Sequence, residues 1–127
     1  MKLNIPTLSI CLSCRDGREE FYMTRGGRRF AKELLNNSSL KKHVHLRGVN
    51  CISNCKRACT ISLTAKKSFT YIFGDIDPEN SEYSESLIEL VSKYILSSEG
   101  FLRRRDRPML FQSSILERLP PIQCNSE

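Results

Sequence analysis

The sequence predicts an α/β domain, a mixed sheet with helices packed on it. Short β-prone runs and amphipathic helical stretches alternate along residues 1–100. The first two strands are separated by a helix, which calls for a crossover connection. The next two strands are separated only by Ala65-Lys66-Lys67-Ser68, a polar turn of hairpin length.

Residues 3–11 are apolar and β-prone, with Pro6 tolerable near a strand start or at a sheet edge. Residues 16–24 are polar and irregular. A helix is expected over 25–37, where Phe30, Leu34 and Leu35 form a short apolar face. Thr24 is its expected cap, Gly26-Gly27 crowd its first turn, and Asn36-Asn37-Ser38-Ser39 ends it. Residues 43–49 make a second strand, with Val44 and Leu46 alternating. Residues 60–64 and 69–73 are the hairpin strands. The last helix is expected to start at Asp77 as N-cap with Pro78 in the first helical position, and Glu79 and Glu82 favour the positive end of its dipole. Tyr83, Leu87, Leu90, Val91, Tyr94 and Ile95 then recur at helical spacing up to Gly100. Strand, helix, strand, hairpin, helix is a thioredoxin-like order.

Residues 101–127 depart from this pattern and read as a C-terminal tail on a domain of residues 1–100. A basic run, Arg103-Arg104-Arg105-Asp106-Arg107, is followed by Met109-Leu110-Phe111, Ile115-Leu116 and Leu119-Pro120-Pro121. So many apolar residues predict an ordered segment, folding back over the domain or exchanging with a second chain in a homodimer. Because the first 100 residues already supply a sheet and two helices, the tail is expected to add a recognition surface rather than core.

A chain of 127 residues can bury a core without disulfide staples. It has no apolar run of the roughly 18 residues that a membrane span needs, and no signal-peptide pattern at Met1-Lys2-Leu3-Asn4. A cytoplasmic location and no membrane partner are therefore expected. The net charge of +6 is spread along the chain and reads as a solvated surface that favours acidic partners. The arginine run lacks stacking aromatics or a known module, so no nucleic-acid partner is expected.

In a reducing compartment, paired cysteines point to metal or redox chemistry. Cys11 and Cys14 stand in Cys-Leu-Ser-Cys after the first strand, and Cys51 and Cys55 in Cys-Ile-Ser-Asn-Cys after the second. Two pairs on neighbouring loops make a four-sulfur pocket for a soft metal or an iron–sulfur cluster. Cys59 falls one helical turn after Cys55 and is the second-choice ligand, and Cys124 lies in the tail. A [2Fe–2S] cluster needs two thiolates on each iron, which these pairs supply. Arg15, Lys56 and Arg57 adjoin the ligands and would offset the cluster's negative charge or form a docking rim for an acidic redox partner.

Two other uses of these sulfurs stay open. Zinc would take the same four in a tetrahedron, although zinc ribbons repeat Cys-x-x-Cys and the second pair here has three intervening residues. A thiol–disulfide oxidoreductase would use Cys11 and Cys14 alone. Thioredoxin-type enzymes carry a cis-proline facing that pair, and this chain has no proline between Pro6 and Pro78. No nucleophile, base and oxyanion site assembles, so no catalytic residue is expected. His43 and His45 share a strand face, Gly26-Gly27 lacks the Gly-Lys-Ser/Thr of a phosphate loop, and Asp75 and Asp77 read as caps.

The sequence resembles a group of small bacterial predicted metal-binding proteins, often encoded near cobalamin-biosynthesis genes. The resemblance runs through Cys11-Leu-Ser-Cys14-Arg15, Gly26-Gly27, and Cys51-Ile-Ser-Asn-Cys55-Lys-Arg-Ala-Cys59-Thr60. It continues in Phe69-Thr-Tyr-Ile-Phe-Gly-Asp75, Arg107-Pro108 and Arg118-Leu-Pro-Pro121. That group is in turn similar to the thioredoxin-like [2Fe–2S] ferredoxins, which place two cysteines after the first strand and Cys-x-x-x-Cys after the second. The first pair here is closer together than in those ferredoxins. The resemblance implies a cluster-bearing electron carrier or redox sensor without a substrate site of its own.

Overall fold

The computed structural model describes residues 5–53 and 57–122. Five strands form one sheet: β1 (Thr7–Cys11), β2 (His45–Val49), β3 (Ile61–Thr64), β4 (Thr70–Phe73) and β5 (Ile115–Leu119). Their spatial order is β2-β1-β3-β4-β5. β1 and β2 are parallel, as the crossover requires, with Leu8 opposite Leu46 and Cys11 opposite Val49. All other pairings are antiparallel. The α/β class and the thioredoxin-like layout are as the sequence predicts.

Strand alternation decides the two faces. Leu8 and Ile10 stand opposite Leu63 and Ile61, which in turn stand opposite Tyr71 and Phe73. These six side chains are buried and form one apolar face. The intervening positions Thr7, Ser9, Ser62, Thr64 and Thr70 make the other face largely polar, with Ile72 opposite Ser62 the apolar exception, and there the Arg47 Nε donates to Ser9 Oγ at 2.7 Å. The helices that cover the apolar face are α2 (Gly26–Leu35), through Phe30, Ala31 and Leu34, and α4 (Glu82–Leu96), through Leu87, Leu90, Val91 and Tyr94. Two short helices, α1 (Glu19–Tyr22) and α3 (Ser38–Lys41), flank α2. No helix is long and apolar enough to cross a membrane among the described residues.

Four local expectations differ from the structure. The Thr24 hydroxyl does not cap α2; Arg25 is the N-cap, and the Gly26 N–H donates instead to the Glu19 carboxylate at 3.0 Å. Asn37 does not merely end a helix: its side chain accepts from Leu40 N at 3.1 Å and starts α3. α4 begins at Glu82 rather than Pro78. Asp77 Oδ1 accepts from Glu79 N at 3.0 Å, and Asn80 N donates to Asp77 O, so the chain makes a turn before it enters the helix. An Asx turn competes with a helical N-cap for the same carboxylate.

The fourth difference is the tail. Leu102 and Phe111 are buried in the same core as the helices and sheet. The Phe111 ring meets Phe73 at 5.0 Å and Tyr83 at 5.7 Å between centroids. β5 pairs with β4 from Thr70–Leu119 to Phe73–Ile115, with a register shift between Ile72 and Phe73. The segment is ordered, as its apolar content predicts, but it supplies core and a fifth strand rather than only a surface.

Candidate functional site

β1 and β2 run parallel, so their C-terminal ends lie side by side, and each leads into a cysteine loop. The two loops are tied together. Leu12 N donates to Val49 O at 2.8 Å, and the Ser13 hydroxyl donates to the Asn50 carbonyl. Cys11 is held by its own N–H on Thr60 O at 3.0 Å, and the Cys14 carbonyl accepts from Gly27 N at 3.0 Å. Residues 11–14 are thus anchored on one side by the loop after β2, on another by the start of β3, and from behind by α2.

Cys11 and Cys14 are both fully buried, and their thiols interact with each other. Burial pushes the Cys11 thiol up, but hydrogen bonds from the Cys14 thiol, the Ile52 amide and Ser13 outweigh it and leave the pKa below that of an ordinary cysteine. Cys14 moves the other way. Burial and its bond to Cys11 push it up to about 11, although the Thr60 amide and hydroxyl act against that rise. Of the two thiols, Cys11 is therefore the one that releases its proton more easily.

Cys51 is exposed, and its sulfur accepts the Ser53 N–H at 3.2 Å. Cys59 is buried, and burial together with the potential of Cys14 pushes it up to about 12, so it remains a neutral thiol in the core. Cys55, the fourth expected ligand, lies outside the described residues, as do Lys56 and Cys124. Among the described residues no three Cys, His, Asp or Glu side chains form a group that could hold a metal ion. The donor chemistry nevertheless suits a thiolate-bound group: the Ser53 N–H donates to the Cys51 sulfur at 3.2 Å, and the Ser13 hydroxyl lies 3.8 Å from the Cys11 sulfur. His43 and His45 are exposed, as expected of solvated residues. Arg57 pairs with Asp75 through hydrogen bonds from Nε at 2.9 and 3.0 Å. Arg15 is exposed next to Cys14.

The loop after Cys14 is braced by residues that the sequence reading did not single out. The Glu19 carboxylate accepts from Asp16 N at 2.9 Å, Gly17 N at 3.1 Å and Gly26 N at 3.0 Å. Asp16, almost buried, pairs with Arg29, which also donates to Glu79 at 2.8 Å and lies 4.2 Å over the Tyr22 ring. Arg18 grips Asp77 with two bonds, at 2.9 and 3.2 Å. A glutamate seven residues before a helical glycine has no fixed spacing rule, so only its position as an anion before a helix start hinted at this role.

This brace has a pH signature. Partial burial pushes the Glu19 carboxyl up, but the Asp16 and Gly26 amides outweigh it and hold the pKa at about 2, against 4.5 for an ordinary glutamate. A lowered folded pKa gives stability that is fully present above the unfolded value and is lost as pH falls through the folded one. Glu19 therefore stabilises the fold above pH 4.5 and stops doing so as pH approaches 2. Glu19→Gln should cost about 1–2 kcal/mol at neutral pH, the worth of hydrogen bonds to a charged acceptor discounted for solvent. It should also flatten the acid limb of stability in this window. Urea denaturation from neutral to acid pH checks both, and parallel curves for the two proteins would contradict the assignment.

No curated protein and no solved structure matches this chain. Residues 8–121, which include both cysteine loops' described parts and run through β5, match the family described as "Protein of unknown function (DUF1636)", and the chain belongs to that family.

Proposed function

We propose that this protein holds a [2Fe–2S] cluster on Cys11, Cys14, Cys51 and Cys55 and carries or senses electrons. The observation that supports the reading most is the joining of the two cysteine loops, with Leu12 N donating to Val49 O at 2.8 Å and the Ser13 hydroxyl donating to the Asn50 carbonyl. When bound, such a cluster supplies one-electron redox chemistry. The chain's own contribution is to favour the thiolate of Cys11, to donate an amide hydrogen to the Cys51 sulfur and to bury the first pair. Arg15, exposed next to Cys14, Lys56 and Arg57 are the basic groups that adjoin the site, so a redox partner would present acid to them. Zinc on the same sulfurs is the alternative occupant, giving a colourless interaction module.

A second reading draws on the unequal thiols. A lowered Cys11 and a raised Cys14 match a nucleophile and its resolving partner. Oxidation of that dithiol to a disulfide would pass two electrons and two protons to a substrate disulfide. Both sulfurs are fully buried, however, so an incoming disulfide has no path to Cys11 without loop movement.

Anaerobic purification with iron, sulfide and zinc analysis decides among these. The cluster reading expects a brown protein with about two iron and two sulfide per chain. Cys11→Ala, Cys14→Ala and Cys51→Ala should each remove the visible absorbance, and Cys124→Ala should leave it. A colourless protein with stoichiometric zinc would replace the cluster by zinc. Metal-free protein that turns over a disulfide substrate through Cys11 would establish the dithiol reading.

A further inference from the structure

Far along the chain from the cysteine loops, the tail builds a basic hollow of about 590 Å³, lined by Phe101, Arg103, Arg104, Arg107, Glu117 and Arg118 among others. Arg107 is the unusual member. It is 5% exposed, its Nη2 donates to the Gln112 carbonyl at 3.1 Å, and its Nε–H has no acceptor. A buried, unpaired donor on a charged group costs several times what a made hydrogen bond gains. No carboxylate stands within ion-pair distance of Arg104, Arg107 or Arg118 among the described residues. Arg103 alone is matched, by Asp106 at 3.1 Å. Burial pulls the Arg107 guanidinium pKa down, Tyr71 works against this, and the charges of Arg118 and Arg104 lower it further. Three guanidinium groups thus line one hollow with no ion-pair partner among the described residues.

Two features show that the arrangement is built rather than accidental. Arg107 is clasped reciprocally, since Gln112 Nε2 donates back to the Arg107 carbonyl at 3.1 Å. Arg118 is aligned by the Phe101 ring, 4.6 Å below its guanidinium, and by the Leu102 carbonyl. Planar forks held in place are what bidentate recognition of an oxyanion requires.

We propose that the hollow framed by Arg104, Arg107 and Arg118 binds a phosphate group, free or carried by a small phosphorylated molecule. The hollow exceeds the size of the bare ion, and Phe101 and Ile115 add apolar lining that an ester's carbon chain would meet. The site is independent of the cysteine loops and stands or falls apart from the cluster reading.

The test is thermal denaturation of the full chain in increasing inorganic phosphate or glycerol 3-phosphate, with sodium chloride holding ionic strength constant. A ligand that binds only the folded state raises the midpoint in a saturable way. Saturable rises with both probes are expected, and the stronger one identifies the source, free ion or ester. Arg104→Gln and Arg118→Gln are surface changes that leave the fold intact and should each weaken the apparent affinity about tenfold, the value of one charge-assisted hydrogen bond. Arg107→Met should abolish the response, while its midpoint in phosphate-free buffer reports the removal of the uncompensated charge set against the lost bond to the Gln112 carbonyl. A midpoint that follows phosphate no differently from chloride would overturn the proposal. So would unchanged affinity in both glutamine variants.

Discussion

Gly27→Ala is expected to destabilise the protein by at least about 3 kcal/mol, although alanine is the better helix former by about 1 kcal/mol. Gly27 is the second residue of α2, and a Cβ there would fall 1.9 Å from the Cys11 carbonyl oxygen and 3.0 Å from its carbon. Both are backbone atoms at the end of a central strand, so neither can rotate away. The helix start would have to withdraw from β1, breaking the Gly27 N–H bond to the Cys14 carbonyl and loosening the cysteine loop with it. Gly26→Ala meets the Asp16 side chain at 2.9 Å and should cost less, because a side chain can shift. Gly17→Ala meets nothing within 4 Å and costs only its positive φ of 92°, about 1 kcal/mol. Urea midpoints for the three variants should therefore rank Gly27 as worst by a wide margin. A Gly27→Ala protein as stable as wild type would mean that α2 does not sit against β1 as described.

Deletion of everything after Gly100 is expected to leave a chain without cooperative unfolding. The deletion exposes the β4 edge and removes Leu102 and Phe111 from the core. It also takes away the Leu102 amide and carbonyl that satisfy the buried Tyr71 hydroxyl, at 2.7 and 3.3 Å. Losing a buried phenylalanine costs about 3–5 kcal/mol and a buried leucine about 2–5 kcal/mol. Against a typical total stability of about 5–15 kcal/mol, those losses and an orphaned hydroxyl are enough to unfold the domain. Phe111→Ala alone should lower stability by about 3–4 kcal/mol while keeping the fold. Circular dichroism with a urea titration distinguishes the outcomes. A truncated chain that unfolds cooperatively near the wild-type midpoint would return the tail to the role of an added surface.

The cysteine positions show how far local pattern reaches. The crossover between the first two strands predicts that they pair in parallel, and parallel neighbours end at the same side of the sheet. That much places the loops of Cys11 and Cys51 together from sequence, and the register of Cys11 against Val49 agrees. Spacing cannot say which thiol releases its proton more easily. Cys11 and Cys14 are both fully buried, and their mutual bond lowers the first and raises the second, with Ile52 and Ser13 acting on one and Thr60 on the other. Cys59 looks like a spare ligand by spacing, and only the structure shows that it is fully buried in the core.

The sequence by itself determined the elements whose cause is local: the apolar alternation of β1, β3 and β4, the amphipathic faces of α2 and α4, and the hairpin turn between β3 and β4. It also determined the topology of the first pair of strands, because a helical crossover leaves little choice of hand or direction. Only the tertiary structure decided that Ile115–Leu119 is a strand, since Ile-Leu-Glu-Arg-Leu has no clear period and becomes extended by pairing with the open edge of β4. It alone decided that Glu19 caps the loop after Cys14 and that Arg107 is buried beside other arginines. In each case the deciding partner lies across the fold, or is a backbone amide that any residue type could supply. A hydrogen bond to such a group leaves no mark on composition or spacing, because it exists only after the chain has brought the two ends together.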